Sequence, residues 1–292
     1  MNNLSDINTI KAVLEKHGFT FSKSLGQNFL TDAHVCPQLV QSAGLDKSTG
    51  VIEIGAGIGV LTAELCRAAG KVVSFELDKR LLPVLDETLG EFNNVSIVNA
   101  DVLKTDLAAV IREQLPDMRV CVCANLPYYI TSPVIMMLLE SRLPLDTITV
   151  MVQSEAAQRL CAHTGERSGG AITAAVNYYS VPERMFFVDR SCFMPSPKVD
   201  SEVIRLTVRR TPAVSVGDEK AMFRVIKAAF AQRRKTAVNS ISGSLGIPKE
   251  SVAQVICSLG LKPDVRAERL TLEDFARISE SLREVTPCRQ CP

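Results

Sequence analysis

The residues best suited to chemistry in this 292-residue chain are Asn125-Leu126-Pro127-Tyr128. They follow an apolar run, residues 120–124, that is typical of a short buried strand. The side-chain oxygen of Asn125 and the carbonyl oxygen of Leu126 are two hydrogen-bond acceptors, Pro127 stiffens the turn, and Tyr128 supplies a flat ring. Two acceptors beside an aromatic ring suit a planar base that carries an exocyclic amine.

Such an amine is a poor nucleophile because its lone pair is delocalised into the base. Acceptors for both N–H groups would aim the lone pair at an electrophile, so catalysis would rest on positioning and electrostatics. No general base is needed beforehand, because the proton becomes acidic once the new bond has formed. The alternative for these four residues is an ordinary strand-end turn with a half-buried Tyr128.

A glycine-rich turn is the second motif. Residues 51–54 predict a strand, Gly55, Gly57 and Gly59 form the turn, and residues 60–69 predict a helix. Val60 stands where the dinucleotide fingerprint has its third glycine. The spacing therefore disfavours a nicotinamide dinucleotide and favours a nucleoside without a pyrophosphate.

Acidic residues follow the next two predicted strands, residues 72–75 and 95–98. Glu76 lies 21 residues after Gly55, which is the spacing at which such folds hold a ribose diol; the alternative is a solvated charge. Asp101 either accepts a hydrogen bond from an adenine amino group or caps a turn.

Strands and helices alternate through this part of the chain, and each candidate residue comes at the carboxyl end of a strand. Ligands of doubly wound sheets bind at that edge. We therefore predict an α/β fold with a mostly parallel, Rossmann-like sheet. Further strands are predicted at residues 145–152, 184–188 and 203–208, and helices at 7–17, 33–43, 154–162 and 171–179.

Two segments without regular periodicity flank the predicted strands. Residues 21–30 predict a loop that could contact a ligand. Residues 193–200 form a proline-stiffened loop, in which Phe193 either faces Tyr128 as a second aromatic surface or anchors the loop in the core.

Only helical patterns follow residue 218, at about 218–241, 248–260 and 271–284. We predict a catalytic domain over residues 1–210, a helical domain over 211–287 and a tail over 288–292. The tail contains Cys288 and Cys291, for which no further metal ligands follow.

The net charge of +1 hides an uneven distribution. Residues 51–183 carry 10 Lys+Arg against 16 Asp+Glu, a net −6, whereas residues 184–240 carry 12 against 5, a net +7. Arg233, Arg234 and Lys235 stand together at the predicted end of the first C-terminal helix. They contact phosphates or form a solvated helix end.

Several classes of protein are disfavoured by composition. No run approaches the roughly 18 apolar residues of a membrane span. Nine scattered cysteines argue against a disulfide framework. The first residues show no signal peptide, so we expect a cytoplasmic protein.

Taken together, these motifs closely resemble the KsgA/RsmA family of 16S ribosomal RNA adenine-N6,N6 dimethyltransferases. The resemblance rests on the segments 24–30 (Ser-Leu-Gly-Gln-Asn-Phe-Leu) and 125–128, and on Phe193-x-Pro195-x-Pro197-x-Val199-x-Ser201. It implies a class I methyltransferase that uses S-adenosylmethionine, without a metal, and an RNA-binding helical domain.

The resemblance also implies roles for individual residues. Asn28, Leu30, Gly55, Glu76, Asp101 and Asn125 would bind the cofactor, with Glu76 at the ribose and Asp101 at the adenine. Asn125, the Leu126 carbonyl, Tyr128 and Phe193 would form the target-base site, and Arg233, Arg234 and Lys235 would bind RNA. The implied substrate is a pair of adjacent adenosines in the 3′-terminal hairpin loop of 16S rRNA, within the small ribosomal subunit. We expect a monomer.

Three rivals remain at this point. The first is the same chemistry on large-subunit RNA or DNA, which Leu126 disfavours. The second is an assembly or transcription factor that keeps the fold for binding only, against which Gly55, Glu76, Asp101 and Asn125 speak. The third is a nicotinamide-dependent dehydrogenase.

Overall fold

Apolar runs separated by glycine and polar residues give alternating strands and helices in the computed structural model, which describes residues 4–22, 26–232 and 234–285. The strands are β1 Phe29–Leu30, β2 Thr49–Ile54, β3 Lys71–Phe75, β4 Val95–Val98, β5 Arg119–Asn125, β6 Leu145–Gln153, β7 Ser180–Val188, β8 Phe193–Met194 and β9 Ser201–Val208. The helices are α1 Ile7–Lys16, α2 Val35–Ala43, α3 Val60–Ala68, α4 Leu82–Thr88, α5 Leu107–Gln114, α6 Thr131–Glu140, α7 Ser154–Leu160, α8 Ala171–Tyr179, α9 Glu219–Phe230, α10 Ala237–Leu245, α11 Lys249–Ser258 and α12 Leu272–Val285.

Seven strands form one sheet in the order β4-β3-β2-β5-β6-β9-β7. The five strands from β4 to β6 pair in parallel, and β9 pairs antiparallel with β6. Every residue of β2 is buried, as expected for a central parallel strand that is covered on both faces. The predicted α/β fold with a mostly parallel sheet is confirmed.

The parallel order places the ends of β2, β3, β4 and β5 at one edge of the sheet. Gly55, Glu76, Asp101 and Asn125 stand at or just after those four ends. The order of the strands therefore brings four positions that are distant in sequence together at the carboxyl end of the parallel sheet.

A second, two-stranded sheet corrects the prediction of a loop over residues 21–30. Phe29 pairs with Met194 and Leu30 pairs with Phe193 in an antiparallel ladder. A strand of two residues is too short to show the alternation by which strands are predicted.

The helix predicted over 218–241 is wrong in one respect, because it is two helices. α9 ends at Phe230 and α10 begins at Ala237. The Thr236 hydroxyl accepts a hydrogen bond from the Asn239 N–H and so caps α10. Arg234 and Lys235 therefore lie in the connection between two helices rather than at a helix end, and Arg233 lies outside the described residues.

The chain forms two compact units, Met1–Ala157 with Pro182–Val208, and Gln158–Val181 with Arg209–Pro292. The first contains both sheets except for the start of β7, and the second contains α8 with the C-terminal helices. The domain boundary at residue 210 stays a prediction. Over the described part of the chain, no helix has the length and apolar character to cross a membrane.

Candidate active site

A cavity of about 390 Å³ opens at the edge where the parallel strands end. This volume lies within the range of about 300–1,000 Å³ that is usual for small-molecule sites. All nine residues predicted to bind the cofactor or the target base line it. They are Asn28, Leu30, Gly55, Glu76, Asp101, Asn125, Leu126, Tyr128 and Phe193.

The Glu76 carboxylate is held in place by two backbone N–H groups. The N–H of Gly57 donates to Oε2 and the N–H of Asp78 donates to Oε1, each at 2.8 Å. Burial raises the pKa of Glu76, and these two hydrogen bonds partly offset the effect. The remaining lone pairs of this oriented carboxylate suit the two hydroxyl groups of a ribose.

The glycine turn allows close approach of the backbone. Gly55 and Gly57 have φ angles of +86° and +60°, in the left-handed region that favours glycine. A Cβ atom at Gly57 would come within 3.3 Å of the Phe29 ring. A side chain at Gly57 would therefore be strained and would crowd Phe29, which also lines the cavity.

The position of Asp101 is compatible with both roles considered for it, the turn cap and the contact with an adenine amino group. Its Oδ1 accepts the Leu103 N–H at 3.1 Å, so it caps a short 3₁₀ helix. Its carboxylate also lines the cavity, with the Lys104 Nζ 3.7 Å from Oδ2. A contact with an adenine amino group stays a prediction.

Two leucines at the cavity were not identified from the sequence. Leu77 and Leu103 line it and are 50% and 38% exposed, although both are large and apolar. Each follows an acidic candidate closely, Leu77 directly after Glu76 and Leu103 two residues after Asp101. That adjacency is the signal that could have found them, since an apolar purine face needs apolar partners.

Asn28 and Leu30 belong to a segment that is fastened to the end of β3. The Gln27 side chain donates to Asp78 Oδ2 at 2.9 Å and accepts the Ser22 N–H at 2.9 Å. Asn28 Nδ2 donates to the Gly26 carbonyl at 3.0 Å. These bonds hold residues 26–30 along one wall of the cavity.

Asp78 is the centre of this fastening, and sequence reasoning missed it. Arg80 donates to Asp78 through Nε at 2.8 Å and through Nη2 at 2.6 Å, and its guanidinium lies 5.0 Å from the Phe19 ring centroid. The hydrogen bond from Arg80 is the main reason that the pKa of Asp78 is lowered to about 2. The acid-x-acid-x-basic pattern Glu76-x-Asp78-x-Arg80 is its sequence signal.

A fourth carboxylate, Glu53, is buried in β2, just before the glycine turn. Its Oε2 accepts hydrogen bonds from the hydroxyls of Thr62 at 2.7 Å and Ser74 at 2.6 Å. Burial is the main cause that raises the pKa of Glu53 to about 7. Glu53 therefore ties β2 to α3 and β3 and does not line the cavity.

The target-base residues differ from the carboxylates in having free acceptors. The Asn125 side-chain oxygen and the Leu126 carbonyl oxygen accept no hydrogen bond from the described part of the chain. The Leu126 N–H donates to the Met151 carbonyl at 3.3 Å, and its side chain is 1% exposed. The turn is thus anchored through Leu126 while two acceptors stay available.

Tyr128 and Phe193 are the two aromatic residues predicted beside the base. The Tyr128 hydroxyl lies 2.7 Å from the Ser201 Oγ, a contact that no short-range pattern indicates. Phe193 lines the cavity but is only 5% exposed and belongs to the core around Leu30. It therefore also anchors its loop, and its contact with a base stays a prediction.

The basic cluster belongs to the second of the two units. Arg234 and Lys235 are exposed in the helical unit and do not line the cavity. The position of Arg233 falls outside the described residues.

Comparison with known proteins gives consistent matches over nearly the whole chain. Residues 18–284 match the family model described as ribosomal RNA adenine dimethylase. The chain is 45% identical over 285 residues to ribosomal RNA small subunit methyltransferase A of Streptococcus thermophilus, covering 96% of this chain and 98% of that protein. It is 46% identical over 286 residues to the protein of the same name from Bacillus cereus, covering 97% and 98%.

Two solved structures have similar architecture. A dimethyladenosine transferase from Plasmodium falciparum aligns with a TM-score of 0.69 at 23% identity, covering 86% of this chain and 95% of that chain. The 23S rRNA methyltransferase ErmE aligns with a TM-score of 0.66 at 27% identity, covering 87% and 99%.

Proposed function

The chain belongs to the ribosomal RNA adenine dimethylase family, and we propose that it dimethylates N6 of two adjacent adenosines in 16S rRNA. The methyl donor is S-adenosylmethionine, and the target lies in the 3′-terminal hairpin loop within the small ribosomal subunit. The enzyme acts as a cytoplasmic monomer. The names of relatives about 45% identical over their full length support the small subunit as the substrate.

One observation carries the chemistry of this proposal. Asn125 and Leu126, each with an unpaired acceptor, line the same cavity as Tyr128 and Glu76, whose carboxylate is oriented by two backbone N–H groups. A nucleoside at Glu76 and a base at Asn125 would then share one enclosed space. That arrangement suits group transfer from one ligand to the other without a covalent enzyme intermediate.

The residues present fit S-adenosylmethionine. Glu76 would hold the ribose hydroxyls, Asp101 the adenine amino group, and Leu77 and Leu103 the faces of the adenine. The glycine turn leaves the room that a Cβ atom would take. The cofactor supplies an electrophilic methyl group on its sulfonium when it is bound.

The target adenosine must leave its stack to reach the cavity, as in other enzymes that modify a base. Tyr128 and Phe193 would lie against its faces, and the Asn125 side-chain oxygen and the Leu126 carbonyl would accept its two N6 hydrogens in the first transfer. In the second transfer one of these acceptors would hold the single remaining N6 hydrogen. These bonds aim the nitrogen lone pair at the methyl group. The amide of Asn125 is neutral and takes no proton, so the proton released on N–C bond formation passes to water.

Binding of RNA also needs contacts outside the cavity. We assign phosphate contacts to Arg234 and Lys235, together with Arg233, because the +7 charge of residues 184–240 includes all three. Their exposure at the connection between α9 and α10 leaves the two described side chains available to a polyanion.

The decisive experiment incubates the protein with labelled S-adenosylmethionine and small subunits that lack the modification, followed by nucleoside analysis. Labelled N6,N6-dimethyladenosine in the 3′-terminal 16S fragment is the expected product. A parallel incubation with 23S RNA serves as the comparison, and label there but not in the small subunits would favour the activity named for ErmE, which is 27% identical. Binding of subunits without any transfer would identify a non-catalytic assembly factor.

A further inference from the structure

The Tyr128 hydroxyl is tied to a side chain 73 residues away. It lies 2.7 Å from the Ser201 Oγ, a short distance for an O–H···O hydrogen bond. Ser201 is fully buried at 0% exposure, so water does not compete at its hydroxyl. Burial raises the pKa of the Tyr128 hydroxyl, which is therefore protonated at neutral pH.

Ser201 occupies a rigid position relative to Asn125. It is the first residue of β9 and pairs with Gln153 at the end of β6, while Met151 of β6 pairs with Asn125. The chain leaves β5 at Asn125 and reaches Tyr128 three residues later. The contact between the two hydroxyls then connects Tyr128 to β9, which lies two strands from β5 in the same sheet.

The segment before Ser201 is also fixed. The Asp200 carbonyl accepts the Ser154 N–H at 3.0 Å, and the Asp200 carboxylate accepts the Arg190 N–H at 3.1 Å. The position of Ser201 is therefore fixed by the backbone. Through the hydroxyl contact it restrains the orientation of the Tyr128 ring.

We propose that Ser201 is a positioning residue for methyl transfer, whose hydroxyl sets the plane of the Tyr128 ring and hence the plane of the adenine stacked on it. This inference rests on the proposed function. The angle of the adenine decides whether its N6 hydrogens reach both Asn125 and the Leu126 carbonyl. Misplacement of reacting groups by about 1 Å can lower a reaction rate by about 10²-fold. A Tyr128 ring that is free to tilt would misplace the adenine by less, so we expect a smaller loss of rate.

The Tyr128 hydroxyl is consequently engaged by the protein rather than by the RNA. Phenylalanine at position 128 would keep the stacking surface but lose its fixed orientation. Removal of either hydroxyl should have the same effect, because each acts only through the other.

The test compares Tyr128→Phe, Ser201→Ala and the double variant in methyl transfer to unmodified small subunits. Ser154→Ala is the matched control, since the Ser154 hydroxyl is also buried nearby but has no partner among the described residues. We expect each single variant and the double variant to lower kcat by about tenfold. KM for S-adenosylmethionine should stay at the wild-type value, the thermal midpoint should fall by only about 2–4 °C for the one lost hydrogen bond, and Ser154→Ala should turn over normally.

Three outcomes would overturn the inference. A roughly hundredfold loss in the double variant would show that the two hydroxyls act independently. Normal turnover of Ser201→Ala would remove its role, and a parallel loss of thermal midpoint and cofactor affinity would reduce it to fold stability. Absence of transfer by the wild-type protein would instead refute the proposed function itself.

Discussion

The two sides of the cavity differ in how their polar groups are satisfied. On the proposed nucleoside side, formed by Glu76 and Asp101, each carboxylate already accepts a hydrogen bond from the protein's own backbone N–H groups. On the base side, formed by Asn125, Leu126 and Tyr128, the two acceptors have no partner in the described chain. The carboxylates of the nucleoside side are therefore oriented by the protein itself. The acceptors of the base side obtain hydrogen-bond donors only from a ligand or from water.

This difference has an energetic meaning. Carboxylates that are oriented in advance bind a ligand without the cost of ordering them. Acceptors that give up water on binding need a replacement donor, because an unpaired buried acceptor costs about 1–3 kcal/mol. The base side therefore selects for an exocyclic nitrogen that carries N–H donors. Adenosine fills both acceptors in the first transfer, and the monomethylated base still offers one N–H in the second.

The largest effect that this comparison predicts is the loss of Asn125. Asn125→Ala removes a free acceptor on which orientation of the amine depends, so we expect kcat to fall by about 10³-fold or more. Affinity for S-adenosylmethionine should fall at most several-fold, as measured by calorimetric titration. Near-normal turnover in this variant would contradict the mechanism.

Glu76→Ala should show the opposite pattern. It removes an oriented carboxylate from the nucleoside side, and we expect Kd for S-adenosylmethionine to rise by about 100-fold, corresponding to two charged hydrogen bonds. At saturating cofactor, kcat should stay within a few-fold of wild type. A loss of kcat with unchanged cofactor affinity would mean that the two sides are not separate.

Tyr128→Ala should weaken the base side by a smaller amount. Base–aromatic stacking contributes about 1–3 kcal/mol, so we expect at least about a tenfold rise in KM for the RNA substrate. Tyr128→Phe should leave this KM unchanged, because the ring remains. Equal effects of Ala and Phe on KM would assign RNA binding to the hydroxyl.

The smallest predicted effect lies outside both sides. Arg234→Gln with Lys235→Gln should weaken RNA binding about fivefold at moderate salt and make the log–log salt dependence shallower by about 1.4, or 0.7 for each phosphate on a single strand. Filter binding at several salt concentrations measures this slope. An unchanged slope would mean that both side chains are solvated and do not contact RNA phosphates.

The parts of the fold that could be predicted from the sequence are those with local causes. The apolar residues of β2, β3 and β5 predicted buried strands, and the ends of β3 and β5 place Glu76 and Asn125 at the carboxyl end of one sheet. The family resemblance is confirmed by the matches over 96% of the chain.

The parts that could not be predicted depend on distant partners. Ser201 reaches Tyr128 across 73 residues, and Gln27 reaches Asp78 across 51. Periodicity does not reveal such pairs, because it relates only residues a few positions apart. The break between α9 and α10 was missed for a different reason, because the Thr236 cap falls within a run that is otherwise compatible with one helix.

The ladder between β1 and β8 links movements at the two sides of the cavity. Phe29 and Leu30 line one wall of the cavity, and Phe193, which pairs with Leu30, also lines it and is the second aromatic residue that we propose for the base. A spent donor that departs by displacing residues 26–30 must break these hydrogen bonds, and the same break frees the strand that carries Phe193. Departure by this route would therefore weaken the contacts with the adenosine. Each exchange of the methyl donor would then allow the RNA to shift by one nucleotide.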